Sequence, residues 1–230
     1  MPIDVETEVN VGTINEIVRT LFGESAQTVD IVILLTILTL LPSILMMLTG
    51  FTRIIIVLSF IRQALGMQQT PPNQILIGLA LFLTFFVMQP VLSKVYDEAY
   101  VPFTEGQITQ EEFIEGAMGP TREFMLEQVF DSDINFFIGM AGEDYDDLGS
   151  IPNSVLIPAF ITSEIKHAMF IGFIIYLPFI VIDMIVASTL MSMGMMMLPP
   201  AMISLPFKVL LFVLVDGWQL IIGSLVQTFY

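Results

Sequence analysis

Seven ionisable side chains lie inside or beside long apolar stretches of this sequence: Arg53, Glu164, Lys166, His167, Asp183, Lys208 and Asp216. A charge in a bilayer is costly, so such a residue faces a partner or water. Two chemistries follow. Asp183 and Asp216 could relay protons, as carboxylates do in transporters; a hydrogen-bonded or neutral structural acid is the more ordinary reading. Glu164 and Lys208 carry opposite signs and flank the third and fourth apolar stretches, which fits an ion pair within a subunit or between subunits. His167, alone at a helix start, reads as an interfacial residue rather than a ligand. Trp218 reads equally well as a core aromatic.

The stretch "LMSMGMMMLPP" places Met191, Met193, Met195, Met196 and Met197 within seven positions, with Gly194 inside the run and Pro199–Pro200 at its end. Methionine is flexible and polarizable and fills irregular gaps. Gly194 loosens a helix and the prolines stop one, so the run is a loop or a broken helix. Non-helical backbone at membrane depth survives only when buried in protein or lining a cavity. Several copies around an axis would make a ring of deformable apolar side chains, a soft seal of the kind that gates pores by excluding water. That function requires an oligomer.

Other chemistries are excluded. With no cysteine, disulfides, thiolate catalysis and cysteine metal sites are absent, and a single histidine rules out a His-rich metal centre. Ser188, Ser192 and Ser204 have no nearby histidine, and no glycine-rich phosphate loop occurs. No catalytic, cofactor-binding or metal-ligating residue is assigned, and the chain is read as a non-enzyme. A basic patch for nucleic acid is also lacking.

The elements that position these residues are set by composition. Apolar residues make up 55% of the 230, charged residues only 13%, and the mean hydropathy is +0.85. A soluble domain carries roughly 25% charged residues, so the expected class is an all-α integral membrane protein. Four stretches approach the roughly 20 apolar residues that a spanning helix needs. They are 31–49, which the pattern extends past Arg53, then 75–93, 168–191 and 203–226. Pro42, Pro90, Pro178 and Pro206 fall in or at the ends of these and kink them, which suggests packing inside an assembly rather than four straight lipid-facing rods. The net charge of −16 is concentrated: 14 of the 23 acids lie between Asp97 and Asp147, where Arg122 is the only base. Segment 97–160 reads as a small acidic helical domain. Pro120 suits the first turn of one of its helices, and Asp131 or Asp133 caps another. "QQTPPNQ" (68–74) reads as a stiff turn, with Asn73 able to cap the second stretch.

The expected organisation is an N-terminal segment 1–30, a first hydrophobic hairpin 31–93, an acidic helical domain 94–167 and a second hairpin with the Met-rich loop, 168–230. Arg62 and Lys208 favour a cytoplasmic side for the two hairpin connections. Both termini and the acidic domain are then extracytoplasmic. "MPIDVETEVNVG" lacks the basic region of a secretory signal, so insertion falls to the internal stretches.

Three ordered strings carry a resemblance. "LTGFTRIIIVLSFIRQALGMQQTPPNQILIGLALFLTFFVMQPV" (48–91), "LIPAFITSEIKHAMFIGFIIYLPFIVIDMIVASTLMSMGMMMLPP" (156–200) and "ISLPFKVLLFVLVDGWQLIIGSL" (203–225) resemble the flagellar biosynthetic protein FliP family, with injectisome counterparts sharing the plan. The resemblance implies a subunit of the flagellar type III export gate in the bacterial inner membrane, within the basal body. It implies FliQ-like and FliR-like partners, further FliP copies and unfolded flagellar proteins as cargo. It also implies that the apolar stretches are gate helices buried against sister subunits rather than lipid, with much of the assembly above the membrane plane. By the same resemblance the pore gasket falls on Met195, Met196 and Met197, extending to Met193. The inter-subunit ion pair falls on Glu164 and Lys208, and a pore-facing aromatic on Phe136 or Phe137. No cofactor is implied. The competing readings are an injectisome-type gate subunit, a small proton-coupled transporter working through Asp183 and Asp216, and a scaffold that only recruits other membrane components.

Overall fold

A computed structural model of the chain describes residues 28–142, 145, 147–195 and 198–230. Among them every regular element is helical. In chain order these are α1 (Thr28–Leu48), α2 (Phe51–Ala64) and α3 (Asn73–Val95). α3 runs on through a π-helical turn (Tyr96–Tyr100) into α4 (Val101–Thr104). Then come α5 (Gln110–Gln128), α6 (Asp131–Ala141), α7 (Asn153–Ser192), α8 (Pro200–Leu214) and α9 (Gly217–Gln227). The described residues divide at 44/45 into two units, the larger being Leu45–Tyr230.

Two helical runs, Asn73–Thr104 and the 40-residue α7, are long and apolar enough to cross a membrane. α8 with α9, and Pro42–Leu48 with α2, pass the same test as bent pairs, giving two to four spans. The chain is thus an all-α integral membrane protein with about four hydrophobic helices and a small acidic helical domain.

The core of the larger unit forms where α2 crosses α7 and α3. Ile54, Val57, Leu58 and Ile61 recur at helical spacing on α2 and are fully buried. They meet Leu156, Ala159 and Phe160 of α7 and Leu76, Ala80 and Val87 of α3 in one cluster. α2 and α7 approach closely at Gly172, where a Cβ would lie 2.5 Å from the Phe60 ring. Most of α7 beyond that point is uncovered by the described residues; Phe173, Met184 and Ile185 are exposed.

Several element boundaries differ from the sequence expectation, each for a local reason. The first stretch does not continue past Arg53. It breaks at Thr49–Gly50, where the Thr49 hydroxyl donates to the Leu45 carbonyl at 2.5 Å and accepts from the Phe51 amide at 3.3 Å. The third stretch starts at Asn153, not 168. Glu164 and Lys166 look like a helix end but are satisfied by Arg53 and Asp133, so the helix passes through them. The expected division at 167/168 therefore falls within one helix. Pro120 opens no helix; it sits inside α5, where the Thr121 hydroxyl donates to the Ala117 carbonyl at 3.3 Å. α5 begins instead at Thr109, which forms a capping box with Glu112. Asp131 and Asp133 do not cap α6; Phe130 holds that position without a side-chain bond. Asn73 is likewise not a cap: it is the first residue of α3, its side chain accepting from Arg62. The fourth stretch is split by a 66° bend at Val215–Asp216. Asp216 there is left-handed (φ 49°), and a Cβ on the buried Gly217 would lie 2.4 Å from the Phe212 ring.

Candidate functional site

α7 ends in a turn dictated by Gly194, which takes φ 73°. The Gly194 amide donates to the Met191 carbonyl at 3.0 Å and the Met195 amide to the Leu190 carbonyl at 3.0 Å. This is the paired closure that a left-handed glycine permits after a helix. Pro199 and Pro200 then start α8, where a missing amide costs nothing. The Gly194 and Met195 bonds close the backbone on itself at residues 190–195. Met191 and Met193 are exposed and Met195 is 40% exposed. Met196 and Met197 lie outside the described residues.

Below this turn, α7 and α8 are pinned by a polar triad. The Lys208 ammonium reaches the Asp183 carboxylate at 2.6 Å, and the Ser204 hydroxyl donates to the other Asp183 oxygen. Lys208 and Ser204 are buried, while the Asp183 side chain is 34% exposed. Beside the triad, Ile182, Ile185, Val186, Leu190, Ile203 and Phe207 line an apolar groove between the two helices.

Glu164 sits deeper, on α7, fully buried. Both of its oxygens accept from the equally buried Arg53 guanidinium, Nε at 3.1 Å and Nη2. Glu164 and Lys208 therefore do not meet within the chain. Each already has a counter-ion within its own chain.

The acidic domain is fastened to α7 next to that pair. Buried Asp133 of α6 accepts from Ser163 at 2.7 Å and from Lys166. Burial alone would raise its pKa, but the bonds from Lys166 and Ser163, with the Lys166 and His167 charges, outweigh it and hold the carboxyl below its usual range. The Phe130 ring stacks on His167 at 4.1 Å, so the lone histidine serves as a packing partner. Further along α6, Phe136 projects outward and is 61% exposed, while Phe137 packs on the core. Arg122 of α5 binds the Gly149 and Ile151 carbonyls and the Asn153 side chain, which fixes the start of α7.

Asp216 is exposed at the α8–α9 bend, where its side chain makes no capping bond. Trp218 packs edge-on against Phe212, with ring centroids 5.4 Å apart. Sequence reasoning singled out Arg53 but missed the residues that converge on it, Gln128, Thr228 and Phe229. The available signal was an arginine set in an otherwise apolar helix, which needs acceptors from somewhere.

The site thus has no nucleophile paired with a base. It offers flexible apolar side chains at a glycine-closed helix end and buried ion pairs that hold helices together. Residues 34–225 match the model of the FliP family. The chain is 57% identical over 204 residues to the flagellar biosynthetic protein FliP of Pectobacterium carotovorum subsp. carotovorum, covering 88% of this chain and 79% of that protein. It is 53% identical over 205 residues to the same-named protein of Bacillus subtilis (strain 168), covering 89% and 93%. To that of Aquifex aeolicus (strain VF5) it is 45% identical over 210 residues, covering 90% and 88%. The matched region contains α2 to α8, the Met-rich turn and the buried ion pairs, and the chain belongs to the FliP family of flagellar biosynthetic proteins.

Proposed function

We propose that the chain is a non-catalytic subunit of the flagellar type III export gate. Sister copies, joined by FliQ-like and FliR-like partners, surround a gated channel for unfolded flagellar proteins in the bacterial inner membrane at the basal body. The acidic domain lies on the extracytoplasmic side. The mechanism is steric. Met193 and Met195, with Met196 and Met197, converge from neighbouring copies and close the channel to small solutes. Their flexible side chains yield to a chain of variable width. Energy comes from other components of the machine.

One observation carries this reading: the Met-rich run of a FliP-family chain is a self-bonded turn whose described side chains point away from their own subunit. The large uncovered apolar face of α7 supports burial against other subunits as well as lipid. A Glu164–Lys208 contact between copies would come on top of the pairs each makes with Arg53 and Asp183 in its own chain. The test is mass measurement of the detergent-extracted complex, with the FliQ-like and FliR-like partners co-expressed and then omitted. A closed multi-copy particle that changes mass when partners are omitted is expected. A monomer under all conditions would overturn the reading.

A further inference from the structure

The turn that follows α9 is held by side chains from two other helices. Arg53, fully buried on α2, directs five hydrogen bonds to three segments. Two go to Glu164. Nη2 also reaches the Gln128 side-chain oxygen at 3.0 Å, and Nη1 reaches the Thr228 carbonyl at 3.0 Å and its hydroxyl at 3.2 Å. That uses the full donor set of a guanidinium, which a lysine could not reproduce.

The guanidinium carbon also sits over the Phe229 ring, 4.1 Å from its centre. The Phe229 ring is buried in a slot that the sequence has cleared for it: a Cβ on Gly50 would lie 2.5 Å from the ring. Phe124 of α5 stacks on it at 6.4 Å. The Gln128 amide donates to the Phe229 carbonyl at 3.2 Å, and the Tyr230 hydroxyl to the Val87 carbonyl at 3.3 Å. Nothing in the Met-rich turn or the Lys208 triad uses this assembly.

We propose that Thr228–Tyr230 is an intramolecular latch, with Phe229 as its bolt and Arg53 as its catch, and that it ties α9 to the base of the acidic domain. α8 and α9 lead directly from the Met-rich turn to the latch, so a displacement of that pair reaches Gln128 at the end of α5. Arg53 and Gln128 are positioning residues in this device.

Hydrogen exchange on the full chain in detergent tests it, independently of whether the chain builds a channel. R53M alone would strand the buried Glu164 charge, so the first variant is R53M with E164M, which removes the pair together. The second, Phe229→Ala, leaves the pair in place. Both are expected to speed exchange at 226–230 and at 124–130 by at least about tenfold while α8 keeps its wild-type rates. Unchanged exchange at 226–230 in either variant, or equal acceleration throughout α8, would overturn the latch.

Discussion

Lys208 and Asp183 form the ion pair that joins α7 to α8, and the two partners are unequally buried. The ammonium is within 2.6 Å of the carboxylate and almost wholly enclosed, whereas a third of the Asp183 side chain reaches the surface. The cost of breaking the pair therefore depends on which member is removed. Asp183→Ala leaves a buried charge without a counter-ion, a loss of about 3–5 kcal/mol. Lys208→Met leaves a carboxylate that keeps its Ser204 bond and its exposed edge, a loss of about 1–2 kcal/mol. Thermal unfolding in detergent is expected to place the Asp183 variant clearly below the Lys208 variant. The opposite order would mean that the pair is rearranged in the protein.

The joint between α6 and α7 should weaken in acid. The folded state holds the Asp133 carboxyl below its usual range, so its contribution is complete above the unfolded value and disappears as pH falls through the folded one. Melting temperatures recorded from about pH 6 to about pH 3 should fall for the wild type. Asp133→Asn, which cannot titrate, should start lower and show a flatter dependence over that window. Equal slopes for the two proteins would remove Asp133 from the acid response.

Close approach of α2 and α7 rests on the absence of a side chain at Gly172. Gly172→Ala forces a methyl into the Phe60 ring and should destabilise the chain by about 1–3 kcal/mol. Phe60→Leu in the same chain should recover part of that loss. Chemical denaturation of the single and double variants measures both, and additive losses would contradict the contact.

Phe136 and Phe137 are neighbours in sequence but differ in burial. Phe137 packs on the core, and its truncation to alanine should cost about 1–3 kcal/mol. Phe136 is exposed, and its truncation should leave the stability within about 0.5 kcal/mol of wild type. If the exposed ring serves assembly or export, Phe136→Ala will lower secretion of flagellar proteins at normal protein level.

Much of this arrangement is legible in the sequence. Long apolar runs with few charges give the hydrophobic helices, the acid count marks the polar domain, and Gly194 with Pro199–Pro200 sets the ends of the Met-rich turn. What stays hidden is tertiary. Glu164 lies 111 residues from Arg53 and Thr228 lies 175, and no periodicity links such positions. The same blindness misplaces the start of α7. Two charged residues read as a helix end until their partners supply the compensation that water would otherwise give. Pro120 misleads in a related way: proline statistics favour a helix's first turn, yet α5 already has its start in the Thr109–Glu112 box. The Glu164–Lys208 pair came from family resemblance and opposite charge. Neither says that each residue has a counter-ion within its own chain.

The most direct test of the Met-rich turn as a seal is ion leakage. The proposed complex with FliQ-like and FliR-like proteins is reconstituted in vesicles, and release of a trapped small ion is compared between wild type and a variant with Met193, Met195, Met196 and Met197 changed to alanine. The wild type should hold the ion, and the variant should release it while keeping the same assembled mass. A variant complex of normal mass that stays tight would contradict the gasket role.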